Sequence, residues 1–269
     1  MRCAVLGRPI AHSLSPVLHR AAYVAAGLDW SYEAIEVGSD SLDGFLARLG
    51  AGWRGLSLTM PLKRTVVPLL DELSDRATQA QAANTVILQD GRRIGHNTDI
   101  PGASAAIRER YQGSVERAVI AGGGATAASV ALALADLGCA RIDLLVRSRE
   151  RAVATLEAVS RHPNPPEVGF APGPAQLVVS TIPADAQAEE LLGLLDGAAA
   201  VFEVVYDPWP TPLAAAAIER DLVLISGLDL LVHQAVLQYQ LMTGRSDTPV
   251  EVMRTAGEAE LLRRAMGHH

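Results

Sequence analysis

Cysteine is nearly absent from this chain: Cys3 and Cys139 are the only two in 269 residues. Both lie in or beside apolar segments and lack metal-ligand spacing, so neither a disulfide framework nor a cysteine-built metal site is expected. A reducing, cytoplasmic location follows. Positive charge is also in deficit. Lys and Arg total 23 against 30 Asp and Glu, a formal net charge of -7, which leaves no basic footprint for nucleic acid. No stretch approaches the roughly 20 consecutive apolar residues that span a membrane. The apolar run in the opening MRCAVLGRP is too short for a signal peptide, so a membrane is not an expected partner. What the chain has in quantity is ordinary core: 49% hydrophobic residues, enough for one large or two medium domains.

Apolar runs of strand length alternate with longer helix-like segments, the pattern of an α/β protein built from βαβ units. Strands are predicted at 2–6, 31–37, 54–58, 116–121, 141–146, 176–180, 199–205 and 222–225, and helices at 16–26, 61–72, 126–137, 149–161 and 211–220. Asp90-Gly91, between two short apolar runs in VILQDGRRIGH, signals a hairpin. The Pro-rich stretch 162–174 reads as a loop. A domain boundary is placed near residue 100, where a second βαβ series begins after HNTD. The last 40 residues look helical, and periodicity alone does not say where they pack.

The segment VIAGGGATAASVALALADLG (119–138) puts three glycines between an apolar strand and an alanine-rich helix. Such a turn lets backbone approach a pyrophosphate closely and aims a helix N-terminus at it. In the register GxGxxG/A the matching residues are Gly122, Gly124 and Ala127, so Gly122, Gly123, Gly124, Ala125 and Thr126 are the candidate cofactor contacts. After the next strand comes VRSRERA (146–152), where NAD selectivity would call for an acid. Arginine suits a 2'-phosphate instead, and Arg147, Ser148, Arg149 and Arg151 surround a single acid, Glu150. NADP is therefore the expected cofactor.

Hydride chemistry also needs a proton donor and polar groups to orient substrate. Three clusters in the first hundred residues offer them: HSLSP (12–16), LSLTMPLK (56–63) and AANT with GHNTD (82–85 and 95–99). Taken singly, each reads equally as turn or cap chemistry. Ser15 is a natural helix N-cap and Pro16 a natural first helical residue, which leaves Ser13 unexplained.

Taken together and in order, GRPIAHSLSPVLHRAAY, GLSLTMPLK, AANT, GHNTDIPG, the glycine turn, VVYDPWPTPL and GLDLLVHQAVLQY resemble the shikimate dehydrogenase family along nearly the whole chain. The resemblance implies NADP-dependent, reversible reduction of 3-dehydroshikimate to shikimate, a step toward chorismate and the aromatic amino acids. It implies an N-terminal α/β substrate domain (1–100), a Rossmann-like NADP-binding domain (101–228), and C-terminal helices (229–269) that return to the substrate domain. Ser13 and Ser15 would hold the substrate carboxylate with Thr59 and Tyr206, and Asn84 and Gln234 would complete a polar ring. Lys63 would be the catalytic acid or base, with Asp99 as its partner at the substrate hydroxyls. Asp75, Val204 and Gly227 would lie near the nicotinamide. His12, His19, His96 and His233 border these motifs and are read as structural, while Gln238 shows how a glutamine arises on an exposed helix face.

The sequence also departs from the family. The first glycine of the family's GAGGA turn is Ala121 here, which leaves the register open by one residue. Val146 replaces the asparagine of NRT, and Ser57 stands where asparagine is frequent. A quinate/shikimate dehydrogenase that uses NAD and a non-catalytic NADP-sensing homologue are the alternatives. The first would favour an acid near position 147, and the second does not need Lys63, Asn84, Asp99 and Gln234 together. No metal site is expected. Oligomeric state is not legible, and a homodimer stays open.

Overall fold

The computed structural model describes residues 1–266; Gly267, His268 and His269 lie outside the described residues. Two compact units divide the chain, one made of Met1–Thr98 with the segment from Leu231 onward, the other of Asp99–Leu230.

In the first unit the chain runs β1 (Arg2–Gly7), α1 (Ser15–Ala25), β2 (Ser31–Glu36), α2 (Leu42–Ala47), β3 (Trp53–Leu58), α3 (Leu62–Thr65), β4 (Glu72–Leu73), α4 (Asp75–Ala80), β5 (Thr85–Gln89) and β6 (Arg92–His96). Its sheet has the order β2-β1-β3-β5-β6-β4. β1 pairs in parallel with β2 and β3, whereas β5 runs antiparallel to β3 and to β6. β1 is buried from its second residue onward, which explains why it reads as a continuous apolar run rather than an alternation. Asp90 and Gly91 both take positive φ (53° and 75°), the geometry of a tight two-residue hairpin. Leu6, Leu42, Leu46, Leu56, Leu62, Val66 and Val86 pack in the core beneath the sheet.

The second unit holds α5 (Asp99–Arg110), β7 (Arg117–Ala121), α6 (Ala125–Asp136), β8 (Arg141–Leu145), α7 (Val153–Ser160), β9 (Glu167–Gly169), β10 (Leu177–Ser180), α8 (Glu189–Gly193), β11 (Ala200–Glu203), α9 (Pro212–Glu219) and β12 (Val223–Ser226). The sheet order is β12-β11-β10-β7-β8-β9, with every neighbouring pair parallel. Strand order reverses between β7 and β10, and ligands of open α/β sheets bind at the carboxyl ends of strands at such a switch point. The glycine turn follows β7. α10 (Gly227–Thr243) begins in this unit and its later turns belong to the first, as does α11 (Val250–Met266), which packs along α1. Among the described residues no helix is long and apolar enough to cross a membrane.

Four sequence expectations are corrected. The helix expected over 61–72 is a four-residue α3, a 3-10 turn over Val67–Leu69, and the edge strand β4. Pro68 deprives the segment of a backbone donor, and Glu72 and Leu73 pair instead with Ile94 and Gly95. The Pro-rich loop 162–174 contains β9, recruited by β8 through the pairs Arg141 to Glu167 and Ile142 to Val168. The helix expected over 149–161 opens as a 3-10 turn, Arg149–Ala152, before α7. Finally, Ser15 is not the N-cap of α1. The helix begins at Ser15, and Leu14, fully buried, takes the capping position in a helical conformation. The side-chain acceptor comes from Ser13, whose Oγ receives the Ser15 N–H at 3.3 Å.

Candidate active site

Each unit carries one set of the residues singled out above. In the first, backbone hydrogen bonds bring the clusters together. Ala83 N donates to Lys63 O at 2.8 Å, Leu58 N to Asn84 O at 2.7 Å, and Thr59 N to Leu6 O at 2.9 Å. Lys63 is therefore held by its main chain beside AANT, with its side chain half-buried. The segments AANT and HNTD are joined as well. Asn97 Nδ2 donates to Ala82 O at 3.1 Å and Thr98 N to Asn84 Oδ1 at 2.8 Å.

Backbone groups decide how the buried amides point. A peptide N–H can only donate, so the Asn84 atom facing Thr98 N is Oδ1. Asn84 Nδ2 then faces Thr98 Oγ1 at 2.8 Å and Gln234 Oε1 at 3.3 Å. A peptide carbonyl can only accept, so Gln238 turns Nε2 toward Asn84 O at 3.2 Å, and the same nitrogen reaches Thr85 Oγ1 at 2.9 Å. The Thr85 hydroxyl, having accepted from Gln238, gives its own proton to Asn84 Oδ1 at 3.0 Å. On the other side Gln238 Oε1 accepts from Ser57 Oγ at 2.7 Å, and Ser57 accepts from the Tyr32 hydroxyl at 2.5 Å. The result is one directed chain from Tyr32 to Asn84. Ser15 is buried, with its hydroxyl against that of Tyr32.

Gln238, only 1% exposed, is thus the hub of the site rather than a surface glutamine. Gln234, four residues earlier, is also buried and anchors its own amide on Leu231 O at 2.8 Å. Sequence spacing puts both on one helix face and cannot say which face of α10 is covered. Tyr32 was missed because it reads as one more aromatic in a strand.

His19 completes the network. Its ring stacks on Tyr32 with centroids 4.2 Å apart and planes 5° from parallel. Nε2 lies 3.3 Å from Gln238 Oε1, an atom that only accepts, so Nε2 carries the proton and Nδ1 is a bare lone pair. That Nδ1 is buried without a hydrogen-bond partner. Burial pushes the imidazole down to about 4 from an ordinary value near 6.5. On acidification the unfolded chain takes up this proton first. Stability from neutral His19 is accordingly present above pH 6.5 and lost as pH falls to 4, by about 3 kcal/mol. Urea midpoints measured across that window should show the slope in wild type, and His19→Gln should flatten it.

Asp75 is exposed at the start of α4, where Ser74 caps Ala77 N at 3.4 Å. An acid in a first helical turn is favourable in its own right.

In the second unit Gly122 sits at φ 119°, and a β-carbon there would overlap the Thr181 hydroxyl. One on Gly123 would come within 2.7 Å of Arg151 O, whereas Gly124 meets nothing within 4 Å. The turn is thus tight at Gly122, backed by main chain at Gly123 and open at Gly124, which is the N-cap of α6. Thr155 Oγ1 holds the loop from behind by donating to Gly123 O at 2.9 Å. Ala125 and Thr126 form the first turn of α6, with amides at a helix N-terminus. Past β8, Arg147 and Arg151 are exposed, Ser148 is half-buried, and Arg149 lies over the Phe170 ring at 4.8 Å. No acid stands between Leu145 and Arg149. These residues suit a dinucleotide bearing a 2'-phosphate.

Asp99, 5% exposed, opens α5. Tyr206 is half-buried in the loop after β11, and both ends of that loop are tied to Glu203. Its carboxylate accepts from Val205 N at 2.9 Å, Thr211 Oγ1 at 2.8 Å and Gln187 Nε2 at 2.6 Å. Burial still pushes that carboxyl up. Gly227 lies so close to Val204 O that a β-carbon would overlap it. Glu203 was not anticipated; an acid ending the apolar run AVFE is the signal that could have found it.

Comparison with known proteins agrees in both halves of the chain. A family model described as shikimate dehydrogenase substrate binding domain matches residues 5–86. A second, the shikimate 5'-dehydrogenase C-terminal domain, matches residues 227–256. A shikimate dehydrogenase (NADP(+)) of Symbiobacterium thermophilum is 35% identical over 96% of this chain and 93% of its own. The crystal structure of Mycobacterium tuberculosis shikimate dehydrogenase superposes with a TM-score of 0.86 at 37% identity, covering 96% of this chain and 99% of that one. The Thermus thermophilus enzyme in complex with NADP(H) and shikimate gives 0.81 at 30% identity, over 96% and 99% of the two chains. With 35% identity to a curated member over 96% of its length, this chain belongs to the shikimate dehydrogenase family.

Proposed function

We propose that the protein catalyses the NADP-dependent, reversible reduction of 3-dehydroshikimate to shikimate, in the cytoplasm, as a step of the shikimate pathway. One observation carries the reading. Asn84, Thr98 and Gln234 form a single hydrogen-bonded group, which Gln238, Ser57 and Tyr32 extend toward Ser15. Such a group suits a polyol carrying one carboxylate. Ser13 and Ser15 receive the carboxylate with Thr59 and Tyr206, and Asn84 and Gln234 meet the hydroxyls. NADPH, when bound, supplies the hydride. Lys63 gives a proton to the carbonyl oxygen on which negative charge develops, and takes it back in the oxidative direction. Asp99 supplies a carboxylate for the substrate hydroxyls. Gly122, Gly123, Gly124, Ala125 and Thr126 would hold the pyrophosphate, and Arg147, Ser148 and Arg151 the 2'-phosphate. Asp75, Val204 and Gly227 are assigned near the nicotinamide on the family resemblance. A homodimer is compatible with this reading, and sedimentation at a single monomer mass would reject it.

The test is absorbance at the reduced-nicotinamide band with shikimate or quinate, each with NADP or NAD. Turnover is expected with shikimate and NADP. None with any pair would reject the enzyme reading, and preference for NAD would reject the arginine assignment. Arg147→Ala should raise KM for NADP by about tenfold or more and leave that for NAD unchanged, because only the 2'-phosphate loses its partner.

A further inference from the structure

The chain from Tyr32 to Asn84 has a property that the proposed reaction does not itself require: every proton in it has an assigned direction. The Thr98 N–H and the Asn84 carbonyl, both main-chain groups, fix the two amides. Each hydroxyl between them then has one way to point. Tyr32 gives to Ser57 and Ser57 to Gln238 Oε1; Gln238 Nε2 gives to Thr85 and Thr85 to Asn84 Oδ1. Asn84 Oδ1 is doubly satisfied, by Thr85 Oγ1 and Thr98 N. Its nitrogen is therefore the end turned to the side chains of Thr98 and Gln234. One of its bonds, to Gln234 Oε1, is long at 3.3 Å and so the easier to exchange for a ligand hydroxyl.

From this we infer that Gln238 is a positioning residue for substrate, acting through Thr85 to present the Asn84 amide nitrogen, and not the oxygen, to a substrate hydroxyl. Ser57, where the family frequently has asparagine, gives its hydroxyl inward to Gln238 and is a member of this chain of donors rather than a substrate contact. Without Gln238 the Thr85 hydroxyl loses the donor that orients it, and its hold on Asn84 Oδ1 weakens, leaving that oxygen firmly tied to Thr98 N alone. Thr98 N still keeps the oxygen on its side, but the amide can pivot about that one bond and carry its nitrogen away from the substrate hydroxyl. Burial makes the placement matter, because a substrate hydroxyl that misses the donor of a buried amide has no water to substitute.

The inference rests on the shikimate dehydrogenase reading, and its test separates the two. Gln238→Met keeps the length and removes both polar ends. In ligand-free protein the Thr98 amide, which donates to Asn84 Oδ1, should exchange its hydrogen about tenfold faster than in wild type. With shikimate, KM should rise about tenfold while kcat and the KM for NADP stay within about threefold. In an Asn84→Ala background Gln238→Met should add nothing to the shikimate KM, the sign of one shared path. Thr85→Val, which removes only the linking hydroxyl, should reproduce the split if Gln238→Met does not fold. An unchanged shikimate KM, additive effects in the double variant, or equal loss in kcat and both KM values would overturn the inference. Wild-type protein without turnover would sink the enzyme reading instead, and Thr98 amide exchange in the ligand-free variants would then decide this one.

Discussion

Lys63→Ala should lower turnover about a hundred- to ten-thousandfold while KM for shikimate moves less than about threefold. The reason is the timing of charge. Substrate arrives as a neutral ketone at the reacting carbon, and negative charge appears on oxygen only as hydride is delivered. A cation beside that oxygen is worth most in the transition state and little before it. The Lys63 main chain is fixed beside AANT independently of its side chain's length. Its carbonyl is bonded by Ala83 N, and α3 is a single short turn after β3. Truncation should leave the fold in place, so the loss is not one of stability. Ser15→Ala is the contrast. On the proposed reading its hydroxyl meets the carboxylate equally in ground and transition states, so KM should rise about five- to twentyfold with kcat little changed. Steady-state kinetics on both variants checks the pair. Equal loss of kcat and affinity in Lys63→Ala would remove the proton-transfer role.

Gly227→Ala should destabilise the protein by about 3 kcal/mol or more, read as a drop in urea midpoint. A β-carbon at this position overlaps Val204 O, and the neighbouring Val205 carbonyl carbon is 3.2 Å away. Backbone cannot rotate aside as a flexible side chain can. Val204 cannot retreat readily either, since its N–H is bonded to Ser180 O at 3.0 Å and the next residue is held by Glu203. Helix α10 begins at Gly227, and Asp229 and Ser226 fix that start reciprocally. Ser226 N donates to Asp229 Oδ2 at 2.9 Å and Asp229 N to Ser226 Oγ at 3.2 Å. Arg110 adds a bond to the same carboxylate at 2.8 Å. The methyl is therefore trapped between two anchored segments. Gly173→Ala, where nothing lies within 4 Å of the added methyl, should cost less than about 0.5 kcal/mol. A Gly227→Ala protein as stable as wild type would mean that this contact relaxes.

Most of the central strands were legible in the sequence. Fully covered parallel strands have to be apolar on both faces, so β1, β7 and β10 stand out as unbroken runs wherever they pair. Asp90-Gly91 was legible for a different reason, since few residue pairs accept two consecutive left-handed conformations. Two- and three-residue strands such as β4 and β9 were not legible. They exist because a neighbour offers a hydrogen-bonding edge, and no periodicity fits within two residues. The cap expected at Ser15 was not legible for a related reason: the helix starts one residue earlier than cap propensity suggests, with Leu14 buried at the capping position.

By itself the sequence determined the α/β class, the glycine turn after a buried strand, the arginines where a 2'-phosphate would lie, and the order of motifs that marks the family. Each is local chemistry, decided by a few adjacent residues. Tertiary structure alone decided which of two glutamines four residues apart is the hub, that the Ser57 hydroxyl gives its proton to that hub, and which end of Asn84 meets the Thr98 N–H. Those choices depend on atoms brought together from residues 32, 57, 85 and 238, and on two main-chain groups whose donor and acceptor roles cannot be reversed.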